Sequence, residues 1–120
     1  SGVYLMSYSI SFDSIQTANK IRNALSNAIA VTGKTALEHC NLYCKYNSGE
    51  LIKSSYLFPD SLKASLVWDT PYAKKQYYLG NPNTSINPNA RILWADYAAS
   101  VHYDEWFQIF NQQFLNEFML

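Results

Sequence analysis

Tyr56-Leu57-Phe58-Pro59-Asp60-Ser61-Leu62-Lys63-Ala64-Ser65-Leu66-Val67-Trp68 sets the fold class of this 120-residue chain. Tyr56-Leu57-Phe58 reads as one short strand and Leu62 to Trp68 as a second. In the second, Leu62, Ala64 and Leu66 lie on one side and Lys63, Ser65 and Val67 on the other, the period-two pattern of a strand. Pro59-Asp60 predicts the turn of a hairpin between them, although Pro-Asp is not the favoured type I′ pair.

Upstream, Tyr46-Asn47-Ser48-Gly49 carries turn chemistry, and Glu50 to Ser54 is a linker of about one helical turn. Before it, Ala18, Ile21, Leu25, Ala28, Ile29, Thr32, Ala36, Cys40 and Tyr43 recur at helical spacing. They predict a helix from 14 to 45, roughly 45–50 Å long. Asp13 or Ser14 is its expected cap, and Gly33 its expected kink or break, at about 1 kcal/mol relative to Ala. Residues 3–12 alternate, with Tyr8, Ile10 and Phe12 opposite Ser7, Ser9 and Ser11, which predicts a strand with one buried face.

Downstream lies Asp69-Thr70-Pro71-Tyr72-Ala73-Lys74-Lys75-Gln76-Tyr77-Tyr78, rich in aromatic and basic residues and without acid, His or Cys after Asp69. That composition suits contact better than catalysis. A Gly/Asn/Pro/Ser loop over 80–88 follows. Helices are expected over Ala90 to Ser100 and over Glu105 to about Met119, with His102-Tyr103-Asp104 interrupting them and Asp104 as a cap. The predicted architecture is a single α+β domain over 1–120: an N-terminal strand, a long helix, a β-hairpin forming a small antiparallel sheet, and two C-terminal helices.

Nine basic and nine acidic residues cancel, which disfavours a free nucleic-acid binder. Charged residues make up 15% of the chain against a usual share of about 25%, while ten tyrosines, six phenylalanines and three tryptophans supply the residue types enriched at interfaces. The reading is a protein that covers much of its surface with a partner. No apolar run approaches the ~18 residues of a membrane span. The first residues lack the basic and apolar regions of a secretory signal, so a cytosolic origin is expected. Ser1-Gly2 is compatible with the scar of a cleaved tag.

Cys40 and Cys44, one helical turn apart beside His39, form at most half of a zinc site, and no second pair has ligand spacing. They read as small hydrophobes on the helix's apolar stripe. His102, Asp104 and Glu105 form an acid–base set on paper, but no nucleophile motif accompanies them. The plainer reading is an inter-helix turn with acids at a helix N-terminus. Phe107, Phe110, Phe114 and Phe118 make an apolar stripe that reads as core. No catalytic residue, metal or cofactor is expected.

Three passages resemble a known family. Tyr46-Asn47-Ser48-Gly49-Glu50-Leu51-Ile52-Lys53-Ser54-Ser55 looks like the Thr-Gly-x-Leu-x-x-Ser passage after the long helix of tailed-phage neck proteins, with Ser48 in place of Thr. Val67-Trp68-Asp69-Thr70-Pro71-Tyr72-Ala73-Lys74-Lys75-Gln76-Tyr77-Tyr78 resembles the Trp-x-Thr-Pro-Tyr-Ala-x-x-Gln-Tyr-Tyr segment of the minor capsid family in phages and prophages of Gram-positive bacteria. Asn89-Ala90 to Trp94 and Val101-His102-Tyr103-Asp104-Glu105-Trp106 resemble that family's closing helices, where His-Gly-Asp-Glu-Trp is common and Tyr103 here replaces Gly. The likeness spans residues 13–115 and leaves 1–12 outside.

The resemblance implies a non-enzymatic structural protein of the virion neck, a head–tail connector or head-completion component between portal and tail. It implies rings of six or twelve copies, adjacent adaptor and tail-completion proteins as partners, no membrane, and residence in the host cytoplasm during assembly. Pro71, Tyr72, Lys74, Lys75, Gln76, Tyr77 and Tyr78 become candidate inter-subunit contacts. In a ring, Lys74 and Lys75 also become a candidate band of charge facing packaged DNA, a non-specific contact. A tail-completion or tail-terminator protein is the near alternative. A small enzyme or nucleic-acid module of a mobile element, using His102, Asp104 and Glu105 or the two lysines, is the alternative of another class.

Overall fold

The computed structural model describes residues 5–119. Its elements are α1 (Ser14–Tyr43), α2 (Glu50–Lys53), β1 (Ser55–Asp60), β2 (Lys63–Trp68), α3 (Ala73–Tyr78) and α4 (Trp94–Phe118). The fold is α+β, as the hairpin and the long helix predict. One antiparallel pair, β1–β2, lies beside two long helices.

Asp13 caps α1: its Oδ1 accepts from the amides of Ile15 (3.1 Å) and Gln16 (3.0 Å). At the other end the chain turns extended at Cys44. The Asn87 side-chain amide donates to the carbonyls of Leu42 and Cys44, both at 3.0 Å, and Arg91 N donates to Tyr43 O at 3.1 Å. The polar loop thus satisfies carbonyls that a helix end leaves bare.

Gly33 does not break α1. A Cβ there would stand 2.8 Å from Leu57 Cδ1 and 3.5 Å from Ala64 Cβ. The glycine marks where the hairpin rests on the helix. Its cost in helix propensity is outweighed by that close approach.

The hairpin pairs Ser55 with Trp68 through Asp60 with Lys63. The turn is therefore Ser61-Leu62, not Pro59-Asp60. Ser61 carries φ +53° while Leu62 does not have positive φ, the pattern of a type II′ turn. Pro59 fits inside β1 because its position, next to the closing pair of a two-residue turn, directs its nitrogen away from β2. Asp60 and Lys63 close the ladder as an opposite-charge pair.

Two further corrections concern the ends of the chain. Residues 5–12 form no strand, and the predicted positions 3 and 4 lie outside the described residues. In the single chain this period-two segment pairs with no strand. Leu5, Met6, Tyr8, Ile10 and Phe12 are 74–91% exposed. The two expected C-terminal helices are one continuous helix, α4, and it begins at Trp94 rather than Ala90. Residues 90–93 instead tie neighbouring parts together: Ala90 N bonds Asn87 O, Arg91 N bonds Tyr43 O, and Leu93 N bonds Tyr77 O at 2.8 Å.

α4 runs antiparallel to α1. Tyr97 lies edge-on to Tyr43 at 4.8 Å, His102 stacks on His39 at 4.0 Å, and Phe118 sits under the Lys20 ammonium at 5.4 Å. Small residues line the seam, with Ala24, Ala28, Ala36 and Ala98 buried, which lets the backbones approach. The main core gathers Cys40, Cys44, Leu51, Ala73, Trp94 and Ala98, with Trp68 and Tyr77 against it. Residues 14–23 of α1 are exposed on every side, and the molecule measures 91 × 24 × 23 Å.

Candidate functional site

The segment 69–78 folds into a knuckle rather than an extended strip. Thr70 O accepts from Ala73 N at 3.2 Å, Pro71 and Tyr72 turn the chain, and α3 follows. Buried Ala73 seats the helix on the core. Lys45, only 8% exposed, holds the far end. Its ammonium donates to Leu79 O at 2.6 Å and to Gln76 Oε1 at 3.4 Å, where helix carbonyls favour a cation. Burial pushes the Lys45 pKa down.

Tyr77 turns inward. Its hydroxyl donates to Asp96 Oδ2 and accepts from Asp96 N at 3.2 Å, and its ring meets Trp94 edge-on at 4.7 Å. Burial and then the Asp96 carboxylate push its pKa up to about 12. Of the seven candidate contact residues, Gln76 and Tyr77 are thus engaged by the fold itself. Pro71, Tyr72, Lys74, Lys75 and Tyr78 stay exposed. Tyr78 leans on Tyr77 at 5.0 Å. Among the described residues neither Lys74 nor Lys75 makes a salt bridge.

Tyr72 and Gln76 also face the turn before α2. Together with Lys45, Tyr46, Asn81 and Asn83 they line a cleft of about 480 Å³ that has no acid in its walls. Two of the three passages that resemble the phage family therefore meet in space. Gly49 is required there: it has φ +84°, and a Cβ would lie 2.9 Å from the Tyr46 hydroxyl.

The third passage meets α1. Positions 102, 105 and 106 share one face of α4 by their i, i+3, i+4 spacing. Glu105 lies 3.4 Å from His102 Nδ1 and 3.9 Å from His39 Nε2. Trp106 Nε1 donates to His39 Nδ1 at 2.7 Å, and His102 Nε2 lies 3.0 Å from the Tyr43 hydroxyl. The two imidazoles and the Trp106 indole are roughly parallel. This clasp explains why His102-Tyr103-Asp104 does not interrupt α4. A cap at Asp104 would turn His102 away from the face that joins His39.

One imidazole nitrogen of each histidine and a Glu105 oxygen lie within 4.8 Å of one another, a possible metal-ligand set. The hydrogen bonds decide against that use. An indole only donates, so His39 Nδ1 is an acceptor and the proton of the neutral ring sits on Nε2, facing Glu105. A metal-bound histidine normally has its other nitrogen donating, the reverse of this arrangement. With Tyr43 donating to His102 Nε2, both rings direct N–H toward one carboxylate. These five side chains join α1 to α4 through the Trp106–His39 and Tyr43–His102 hydrogen bonds, with Glu105 facing both imidazoles.

His39 is the participant that sequence reasoning missed. It sits 63 positions before His102, and nothing local marks the pairing. Cys40 and Cys44 are 1% and 0% exposed. Burial pushes their thiols up, to about 11 and about 12, so both are protonated near neutrality and are poor thiolate donors. No described helix is long and apolar enough to cross a membrane. Compared with protein-family models, curated proteins and solved structures, the chain shows no significant match.

Proposed function

We propose that this chain is a structural protein of the tailed-phage neck, a ring-forming head–tail connector or head-completion component that works by self-assembly between portal and tail. The observation that carries the reading is the distribution of its apolar residues. The buried hydrophobic set is mostly alanine and cysteine, with Trp94 its one large aromatic, while Tyr8, Ile10, Phe12, Tyr72, Tyr78 and Phe107 are all exposed. A subunit that keeps small residues inside and aromatic residues outside is suited to completing its packing with neighbours.

The Thr70–Tyr78 passage supports the same reading through its resemblance to the minor capsid family. A head-to-tail contact that closes by rotation forms a ring. The exposed Pro71, Tyr72 and Tyr78 offer such a contact at one end of the molecule, and the apolar segment before α1 offers one at the other. In a ring, Lys74 and Lys75 recur once per subunit and become a band of positive charge toward packaged DNA or a neighbour's acids. His39, His102 and Glu105 serve α1–α4 cohesion in this reading.

Labelling purified particles with antibodies to this chain tests the proposal. Label confined to the head–tail junction is the expected result. Particles that are intact and never labelled overturn it.

A further inference from the structure

We infer that the segment Leu5–Phe12 of one copy inserts as a third strand against β2 of a second copy, filling the apolar groove between β2 and α4. This rests on the self-association in the proposed function and specifies the contact that makes it.

The groove encloses about 330 Å³. Its floor is Ile29, Gly33 and Ala36 of α1, with Ala64 and Leu66 of β2 on one side and Tyr103 and Phe107 of α4 on the other. β2 is therefore the strand that faces α4. In an antiparallel ladder closed by a two-residue turn, alternate residues point their backbone groups outward. On β2 these are Ala64, Leu66 and Trp68, of which the first two line the groove. No backbone–backbone bond engages that edge from outside the hairpin among the described residues. The outer edge of β1 is blunted by Pro59, and β2 contains no proline.

The occupant matches in pattern. Met6, Tyr8, Ile10 and Phe12 form one apolar face, and Ser7, Ser9 and Ser11 the other. All four apolar side chains are at least 74% exposed. Seated on β2, the apolar face meets α1 while the serines join Lys63 and Ser65 on the outer side. An extended segment that pairs with a sheet edge and sets alternate side chains into pockets is a general mode of recognition.

The chain's own segment reaches only the near end of this place. Eight residues extend about 26 Å, which reaches Ile29, while Gly33 and Ala36 lie about 30 and 35 Å along α1 from Asp13, so the segment cannot lie along the whole groove. A second copy has no such limit.

Two single-cysteine variants, Ser9→Cys and Ser65→Cys, test the inference when mixed and joined with a short thiol-specific linker. Neither alters the apolar surfaces, and native Cys40 and Cys44 are buried. The expected product is a linked pair of the two variants, reduced roughly tenfold when Ile10→Asp is added to the Ser9→Cys copy. Failure of the two variants to link overturns the inference. So does a link that survives Ile10→Asp, or linking only within a chain carrying both cysteines. Particle labelling reads the neck assignment separately: label without linking leaves that assignment standing and removes only the strand exchange.

Discussion

Trp106 shows how much of the fold depends on a single proton's position. Its indole N–H fixes the His39 tautomer at 2.7 Å, which turns the His39 Nε2–H toward Glu105. Trp106→Phe keeps the ring and removes the donor. It should cost about 1–2 kcal/mol in urea unfolding, with the His39 side-chain NMR signals shifting as the tautomer is released. Gly33 works by shape. Gly33→Val sets a branched side chain against Leu57 and Ala64 and should destabilise by about 2 kcal/mol. A pH effect sits at Cys40, Cys44 and Tyr77. Their folded values of about 11, 12 and 12 stand above the ordinary 9.0, 9.0 and 10.0. The folded chain therefore keeps protons that the unfolded chain releases. This contribution is full below pH 9 and is lost as pH rises toward 12, by on the order of 2–4 kcal/mol for each thiol. Denaturant titrations between pH 8 and roughly 11 should show falling stability, with a shallower fall for Cys44→Ala.

At the scale of elements, α4 is the informative case. Its continuity through 102–106 is set by the clasp with α1, so amide exchange there should be as slow as at its flanks. Fast exchange confined to 102–104 would restore the two-helix reading. The helical stripe of α1 and the alternation of β2 were legible because their periods are local. The turn at Ser61-Leu62 was not, because Pro59-Asp60 carries stronger turn chemistry than Ser-Leu and only the register shows otherwise. The pairing of His39 with His102 joins distant positions and left no local trace. The aromatic knuckle at Pro71–Tyr78 was legible as composition. That Gln76 and Tyr77 face inward depended on Lys45 and Asp96, which the segment itself does not contain. Residues 5–12 have the pattern of a strand and, in the single chain, join no sheet edge. Pattern reports what a segment can pair with, not whether a partner is present.

The whole molecule is long and thin, 91 Å by about 24 Å, with its compact part at one end and residues 5–23 uncovered at the other. Burying one side chain of the Met6–Phe12 face is worth about 1.5–3 kcal/mol. A shape that leaves this gain unclaimed within one chain favours assembly. Assembly should therefore raise thermal stability in a concentration-dependent way, and differential scanning calorimetry at two concentrations reads this directly. In the proposed function, copies of this chain close the neck of a virion. Electron cryo-microscopy of purified particles, guided by antibody label, tests it most directly. The expected result is a closed ring of this chain between portal and tail. Particles whose neck is fully accounted for by other proteins would contradict it.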